Sequence, residues 1–340
     1  MRIICSVGPK IKNIYSLIAL ANAGMNTIRF NFSHLDYDET AELIDGIRTA
    51  LPDIQIVADL QGQKLRVSRK FKGEISVKEK DRVLFCHENN YTKCSDLPNT
   101  LIIPVQFQGD FSLLKTSRVI YMKDATLEFE VIGIQNNLIG TTVRRGGVIR
   151  AEKGMNAPGM DRSKLGLPQK DKDDIIWALK QGVDVLCLSF VTNVREILQC
   201  KEIFKDNKKV SPHQPKIWVK IETCEGLENI DAIIKQVDGI MLGRGDLSAE
   251  LGVYKIPRVQ EMLLAKLKKS PKELIIATYV LETMKSNLMP SVTECSDIYR
   301  AVKEKVNGFM LTGEVGVGKH PIIVVDLLMK IIKEANITNN

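Results

Sequence analysis

The chain has 340 residues, 44% of them apolar and 26% charged, with a formal charge of +7, the composition of an ordinary globular protein long enough for a barrel-sized domain plus a smaller one. No apolar run approaches the roughly 18–20 residues that span a bilayer, so no membrane partner is expected. The positive charge is not gathered into a basic tract interleaved with aromatics, so no nucleic acid is expected either.

The N-terminus runs directly into an apolar strand, RIICSV, without a charged-then-apolar leader, and a cytoplasmic protein is the expectation. Seven cysteines include no CxxC pair. Cys5, Cys187 and Cys224 lie in or beside apolar runs, which suits reduced core thiols better than disulfides or zinc ligands. Four scattered histidines add no metal-site pattern.

In chain order, short apolar runs at 3–7, 26–32, 54–59, 184–190, 216–221, 238–242, 273–277 and 308–312 predict strands. Helical patterns near 13–23, 38–50, 171–181, 193–205, 226–236, 257–268, 294–304 and 321–335 alternate with them. This α/β alternation argues for βα units, and eight of each is the count of a (β/α)8 TIM barrel, with a doubly wound open sheet as the alternative. From about 68 to 160 the pattern turns β-like, in EISVKEKDRVLF, RVIYMKDATLEFEVIGI and LIGTTVRR. A structureless loop of that length is uncommon, so an all-β domain inserted after strand 3 is expected. The division is then 1–67 and 161–340 for the TIM barrel, and 68–160 for an inserted β-barrel lid. Its exit, KGMNAPG at 153–159, has the glycines and proline of a hinge.

Polar residues recur at the predicted C-terminal ends of seven of these strands, where such a barrel keeps its active site. Arg29, Asn31 and Ser33 follow on one face of the second, and Asp59, Lys64 and Arg66 come at and after the third. Ser189 ends the fourth, Thr278 the seventh, and Gly313-Glu314 the eighth. The stretch from Lys216 to Asp246 is the richest. Lys220 and Glu222, two apart, point to the same side of a strand, and Asp246 follows the next strand after a turn, Gly243-Arg244-Gly245. Two carboxylates beside an ammonium suit a divalent metal such as Mg2+ holding a phosphorylated anion, although a strand-end salt bridge uses the same residues.

The motifs IRFNFSH (28–34), ADLQGQKLR (58–66), KGMNAPG (153–159), VKIETCEGLENID (219–231), DGIMLGRGDLSAEL (238–251) and LTGEVGVGKHP (311–321) are long and in fixed order. In them the chain resembles the pyruvate kinase family along essentially its whole length. The resemblance implies transfer of the phosphoryl group of phosphoenolpyruvate to ADP, giving pyruvate and ATP. It implies Mg2+ on Glu222 and Asp246, and Lys220 neutralising the phosphoryl group and the enolate. Arg29 would grip the phosphoryl group, while Gly245, Asp246 and Thr278 would receive the substrate carboxylate, with Thr278 also in the proton relay. Arg66 and Lys153 would meet the nucleotide phosphates, with Asn31 and His34 nearby. The family's K+ ligands correspond to Asn31, Ser33 and Asp59. Lys64 stands where some members carry a lysine in place of that ion, so K+ is not expected to be required.

Departures from the family pattern bear on specificity and assembly. Gln63 replaces a proline, Thr192 an arginine, Tyr279 a glutamine and Val292 an arginine, and Lys123 and Ala125 flank Asp124 in place of Asp-Asp-Gly. Tyr279 and Val292 fall where family members pair their barrels, so a monomer or weak homodimer is expected. After the eighth helix only NITNN remains, so the family's C-terminal effector domain is not expected. Two other functions stay open: an enolate-handling enzyme with another acceptor, and a ligand-binding pseudoenzyme. A separate GxxxxGK match at 313–319 lacks the following Ser or Thr of a phosphate loop, because His320 and Pro321 come next.

Overall fold

The structure, a computed structural model, describes residues 1–94, 100–135, 137–209, 211 and 214–337. Three strands open the chain: β1 (Arg2–Ser6), β2 (Thr27–Asn31) and β3 (Gln55–Asp59). Nine follow: β4 (Leu65–Val67), β5 (Glu74–Val77), β6 (Arg82–His87), β7 (Leu101–Gln106), β8 (Val119–Met122), β9 (Leu127–Gln135), β10 (Leu138–Arg145), β11 (Gly147–Arg150) and β12 (Gly154–Asn156). The last five are β13 (Val185–Leu188), β14 (Lys216–Ile221), β15 (Gly239–Gly243), β16 (Glu273–Ala277) and β17 (Gly308–Leu311).

The first three and last five strands are parallel and close on themselves in the order β1-β17-β16-β15-β14-β13-β3-β2. Closure excludes the open-sheet alternative. Strands covered on both faces carry continuous apolar runs, and here nearly every strand position is buried. Alternate residues serve two cores. Ile56, Ala58, Leu186, Val219 and Ile240 join the apolar layer beneath the helices. Val57, Cys187, Trp218, Met241 and Met310 form a separate cluster inside the barrel. These inner residues lie two positions before Asp59, Ser189, Lys220, Gly243 and Thr312, so the strand period that fills the barrel also aims the charges at its C-terminal mouth. At the other end Arg2 pairs with Glu273 and lies 5.2 Å from the Trp218 ring centroid.

Helices start where side chains cap them: Asn13 accepts from the Ser16 amide, Asp36 from Glu39, and Ser291 with Glu294 forms a capping box. Two sequence expectations need correction. The helix expected over 226–236 is broken at Asn229 into Cys224–Glu228 and Ile230–Ile234. The turn expected at Gly243-Arg244-Gly245 is instead the start of a helix, Arg244–Leu251, which carries Asp246 in its first turn. Among the described residues, no helix is long and apolar enough to cross a membrane.

The inserted segment closes a second, smaller barrel in the order β10-β6-β7-β4-β12-β8-β9, with β5 and β11 as a separate ribbon. Val67, Phe85, Ile103, Phe129 and Val143 build its own core. Its incoming and outgoing strands lie side by side, β4 antiparallel to β12, with Leu65 opposite Met155 and Arg66 opposite Gly154.

Candidate active site

Asp59, fully buried at the end of β3, gathers one set of charges. Its Oδ2 accepts from Arg29 Nε at 2.8 Å and lies 2.7 Å from Arg29 Nη2, while its Oδ1 accepts from Ser189 Oγ at 3.0 Å. Lys220 Nζ is 3.2 Å from Asp59 Oδ1 and 3.4 Å from Glu222 Oε1. The other Glu222 oxygen accepts from the Phe190 amide at 3.0 Å. Register explains the meeting: Asn31 on β2 and Cys187 on β13 both sit opposite Asp59. Burial alone would raise the Asp59 carboxyl, but Lys220 and Arg29 outweigh it and hold the pKa below its ordinary value. Burial likewise opposes the charge on Lys220, yet Asp59 and Glu222 push its pKa upward, so the ammonium stays charged. Glu222 is raised, first by burial and then by the Asp246 charge, despite Lys220.

Asp246 gathers a second set. Both of its oxygens accept from Lys64 Nζ, at 2.7 and 2.8 Å, and Asn156 Nδ2 donates to Oδ1 at 3.2 Å. Burial works against ionisation of Asp246, and Lys64 more than offsets it, lowering the pKa. The loop between the two sets is pinned at Gly62, whose N–H donates to the buried Asp171 carboxylate at 3.0 and 3.4 Å. Burial raises the Asp171 carboxyl from 3.8 to about 7. Beyond Asp246, the Thr278 hydroxyl accepts the Gly245 N–H at 2.9 Å and donates to the Ala277 carbonyl at 2.5 Å. Thr278 and Tyr279 are both left-handed, at φ 63° and 54°. Arg244 holds them there, donating to the Thr278 carbonyl at 2.8 Å and the Tyr279 carbonyl at 2.7 Å, with Asp297 at 2.6 Å.

Between the barrels, Arg66 Nη2 donates to Ser33 Oγ at 3.0 Å and Nη1 to the Glu152 carbonyl at 3.3 Å, while its buried Nε has no partner. Burial lowers the Arg66 pKa. His34 Nδ1 is 3.5 Å from Glu152 Oε1, and burial followed by the Arg66 charge lowers the imidazole pKa. Lys153 is lowered by burial, then by Arg150 and Lys123. Ser33, His34 and Arg66 line a cavity of about 310 Å³ with Gln61, Arg69 and Lys170. The structure thus brings Arg29, Asp59, Lys220 and Glu222 into one chain of contacts, Gly245 to Thr278, and Arg66 to Ser33. Asn31 accepts from the Ser33 amide at 3.3 Å. Among the described residues, the Lys64 ion pair is with Asp246 rather than with the Asn31, Ser33 and Asp59 group.

Several participants escaped the sequence reading. Ser6, at the end of β1, accepts from Arg29 Nη1 at 3.2 Å. It supplies the eighth strand end and was open to the same rule that found the other seven. Asn156, Asp171 and Arg244 had no such signal. At the 313–319 loop, the amides of Gly316, Val317 and Gly318 donate to Thr312 and Gly313 carbonyls, so they are spent within a turn rather than offered to a phosphate.

Glu222 and Asp246 fit a divalent cation. Their oxygens are hard donors, and a Cβ at Gly243 would fall 2.6 Å from Glu222 Cγ and 3.0 Å from its Oε1, so glycine leaves room for that carboxylate. Among the described residues, no group of three or more His, Cys, Asp or Glu is placed to hold a metal. A two-carboxylate set suits an ion such as Mg2+, which keeps waters and substrate oxygens in its shell.

Fold and site together define a (β/α)8 barrel with a β-barrel inserted after its third strand and a charged cluster at its C-terminal mouth. The family model described as "Pyruvate kinase, barrel domain" matches residues 1–325, and the chain belongs to the pyruvate kinase family. It is 31% identical to the pyruvate kinase of Geobacillus stearothermophilus over 97% of this chain and 56% of that protein. It is 33% identical to that of Kluyveromyces lactis over 94% of this chain and 64% of the relative. Pyruvate kinase 1 of Saccharomyces cerevisiae is 32% identical over 94% and 64% respectively. The chain therefore spans roughly three-fifths of the length of these relatives.

Proposed function

We propose that the protein transfers the phosphoryl group of phosphoenolpyruvate to ADP, giving pyruvate and ATP. The observation that carries this reading is Lys220, a buried ammonium 3.2 Å from Asp59 and 3.4 Å from Glu222 at the barrel mouth. In the reaction the bond from phosphorus to the enol oxygen breaks and a bond from phosphorus to a terminal ADP oxygen forms. The enolate left behind takes a proton on carbon. Mg2+ held by Glu222 and Asp246 would supply positive charge to the substrate carboxylate and the phosphoryl oxygens. Lys220 neutralises charge on the transferring group and the enolate, and because Asp59 fixes it in advance, it needs little reorganisation. Arg29 offers the phosphoryl group a planar donor held by Asp59 and Ser6. The Gly245 N–H and Thr278 hydroxyl receive the substrate carboxylate, and Thr278 relays the proton. Arg66, Lys153, Asn31 and His34 face the nucleotide phosphates, and the small barrel serves as the lid.

We also place the enzyme in the cytoplasm, as a monomer or weak homodimer. Seven unpaired cysteines support a reducing compartment. A second reading, with another phosphoryl acceptor, is supported by the tip of the small barrel. There Lys123, Asp124 and Ala125 are all left-handed, at φ 51°, 52° and 63°, and the Asp124 charge adds to burial in raising the Tyr279 phenol pKa. A coupled assay for pyruvate from phosphoenolpyruvate, Mg2+ and ADP, run beside other acceptors, separates the two. Pyruvate formed with ADP supports the first reading, and turnover only with another acceptor supports the second.

A further inference from the structure

The Lys64–Asp246 pair is a built contact rather than a solvated surface bridge. Only 16% of the Lys64 side chain and 17% of the Asp246 side chain are exposed. The ammonium reaches both carboxylate oxygens, at 2.7 and 2.8 Å, and lies 5.2 Å from the Phe190 ring centroid. Two residues of β12 shape its place. A Cβ at Gly154 would fall onto the Lys64 side chain, and Asn156 shares Asp246 Oδ1 at 3.2 Å. The pair also joins two domains. Lys64 immediately precedes β4, which is antiparallel to β12, and both strands belong to the small barrel, while Asp246 belongs to the main one.

Each Asp246 oxygen has two lone-pair directions, and an ammonium at 2.7 and 2.8 Å from the pair takes one on each, with Asn156 on Oδ1 besides, so a metal entering between the two oxygens takes the place Lys64 holds. The arriving cation also meets a unit positive charge at hydrogen-bond distance, in surroundings that screen it poorly. We propose that Lys64 is a built-in competitor of the divalent cation for Asp246, displaced when the cation binds. Because Lys64 leads directly into β4 and Asn156 ends β12, the same exchange loosens the small barrel's hold on Asp246. Occupancy of the cation site and attachment of the lid are thereby coupled. The proposal rests on the reading of Glu222 and Asp246 as cation ligands, and it assigns Lys64 a task separate from any replacement of K+.

The test uses Mn2+ alone as the probe, its binding to the full chain followed by electron paramagnetic resonance without substrates. Lys64→Gln is expected to bind Mn2+ about tenfold more tightly than the wild type, since one adjacent repelling charge is gone. Lys64→Arg, which keeps the charge, is expected to stay weak and remains informative if the Gln variant folds poorly. Hydrogen exchange at Gly154–Asn156 should quicken on adding Mn2+ to the wild type and already be fast in Lys64→Gln. Unchanged or weaker Mn2+ binding in Lys64→Gln, with wild-type binding abolished by Glu222→Gln, overturns the competitor and leaves the cation site standing. Wild-type binding that Glu222→Gln leaves untouched overturns both.

Discussion

Asp59 and Asp246 each hold cations at the barrel mouth, but their partners come from different places. Arg29, Ser189 and Lys220, which meet Asp59, all come from the main barrel, at the ends of β2, β13 and β14. Lys64 and Asn156, which meet Asp246, come from the two chain segments that tie the small barrel on. The first network is set by strand register in a closed sheet, and moving any member means moving a strand. The second spans a domain boundary and exchanges partners without disturbing the barrel. On the proposed function, charges that must be in place before the reaction belong to the first kind, and charges that respond to a ligand belong to the second.

The sharpest way to break the comparison is at the fixed network. Lys220→Met should lower kcat about 100- to 1,000-fold, the usual loss for one preorganised charge, while the KM for phosphoenolpyruvate changes much less. Steady-state kinetics decide it, and a variant that keeps its maximal rate but fails to bind substrate contradicts the assignment. Stability should separate the two carboxylates next. Asp59→Asn leaves Arg29 and Lys220 with a neutral buried partner and should cost about 3 kcal/mol. Asp246→Asn, at a carboxylate that is 17% exposed where Asp59 is fully buried, should cost less, about 1 kcal/mol. Denaturant unfolding of both variants measures the difference, and equal losses would erase the distinction drawn here.

The loop between the networks gives a pH test. Asp171, which anchors Gly62, is raised by burial from 3.8 to about 7. A carboxyl raised on folding binds its proton more tightly in the native state. Its stabilising contribution is therefore full below the unfolded value and lost as pH rises through about 7. Melting curves of the wild type should thus fall more steeply between pH 4 and 7 than those of Asp171→Asn, and parallel curves would refute the role of burial. The smallest effect concerns K+. Lys64 already brings a fixed ammonium to the barrel mouth, on Asp246, so activity in an organic-cation buffer should scarcely change on adding KCl. An enzyme silent until K+ is supplied would count against it.

Much of this architecture was legible because buried parallel strands are apolar throughout and turn polar only where they leave the sheet. Runs such as KIWVKIE and QIVADL declare both the strand and its functional end. The helix Arg244–Leu251 was not legible for the opposite reason. Arg244, Gly245, Leu247, Ser248, Ala249 and Glu250 are all buried, so the segment shows no one-sided apolar stripe. The break at Asn229 hid inside a periodic pattern that continues on both sides of it. The convergence of residues at the Asp59 cluster followed from strand ends, while their roles came only from the family resemblance; the seating of Lys64 on Asp246 joins residues 182 positions apart, and no local pattern encodes that.

The side-by-side arrangement of β4 and β12 also bears on how the chain reaches its fold. β3 must find β13 across the whole insertion, and the Ile56 amide meets the Asp184 carboxylate over a separation of 128 residues. Once Leu65 lies opposite Met155, that path is short-circuited to roughly forty residues, which reduces the entropy lost on closing it by about 1 kcal/mol. An insertion pinched at its base thus acts on the folding chain as a clasp, bringing the third and fourth barrel strands within reach of one another before either has closed the barrel.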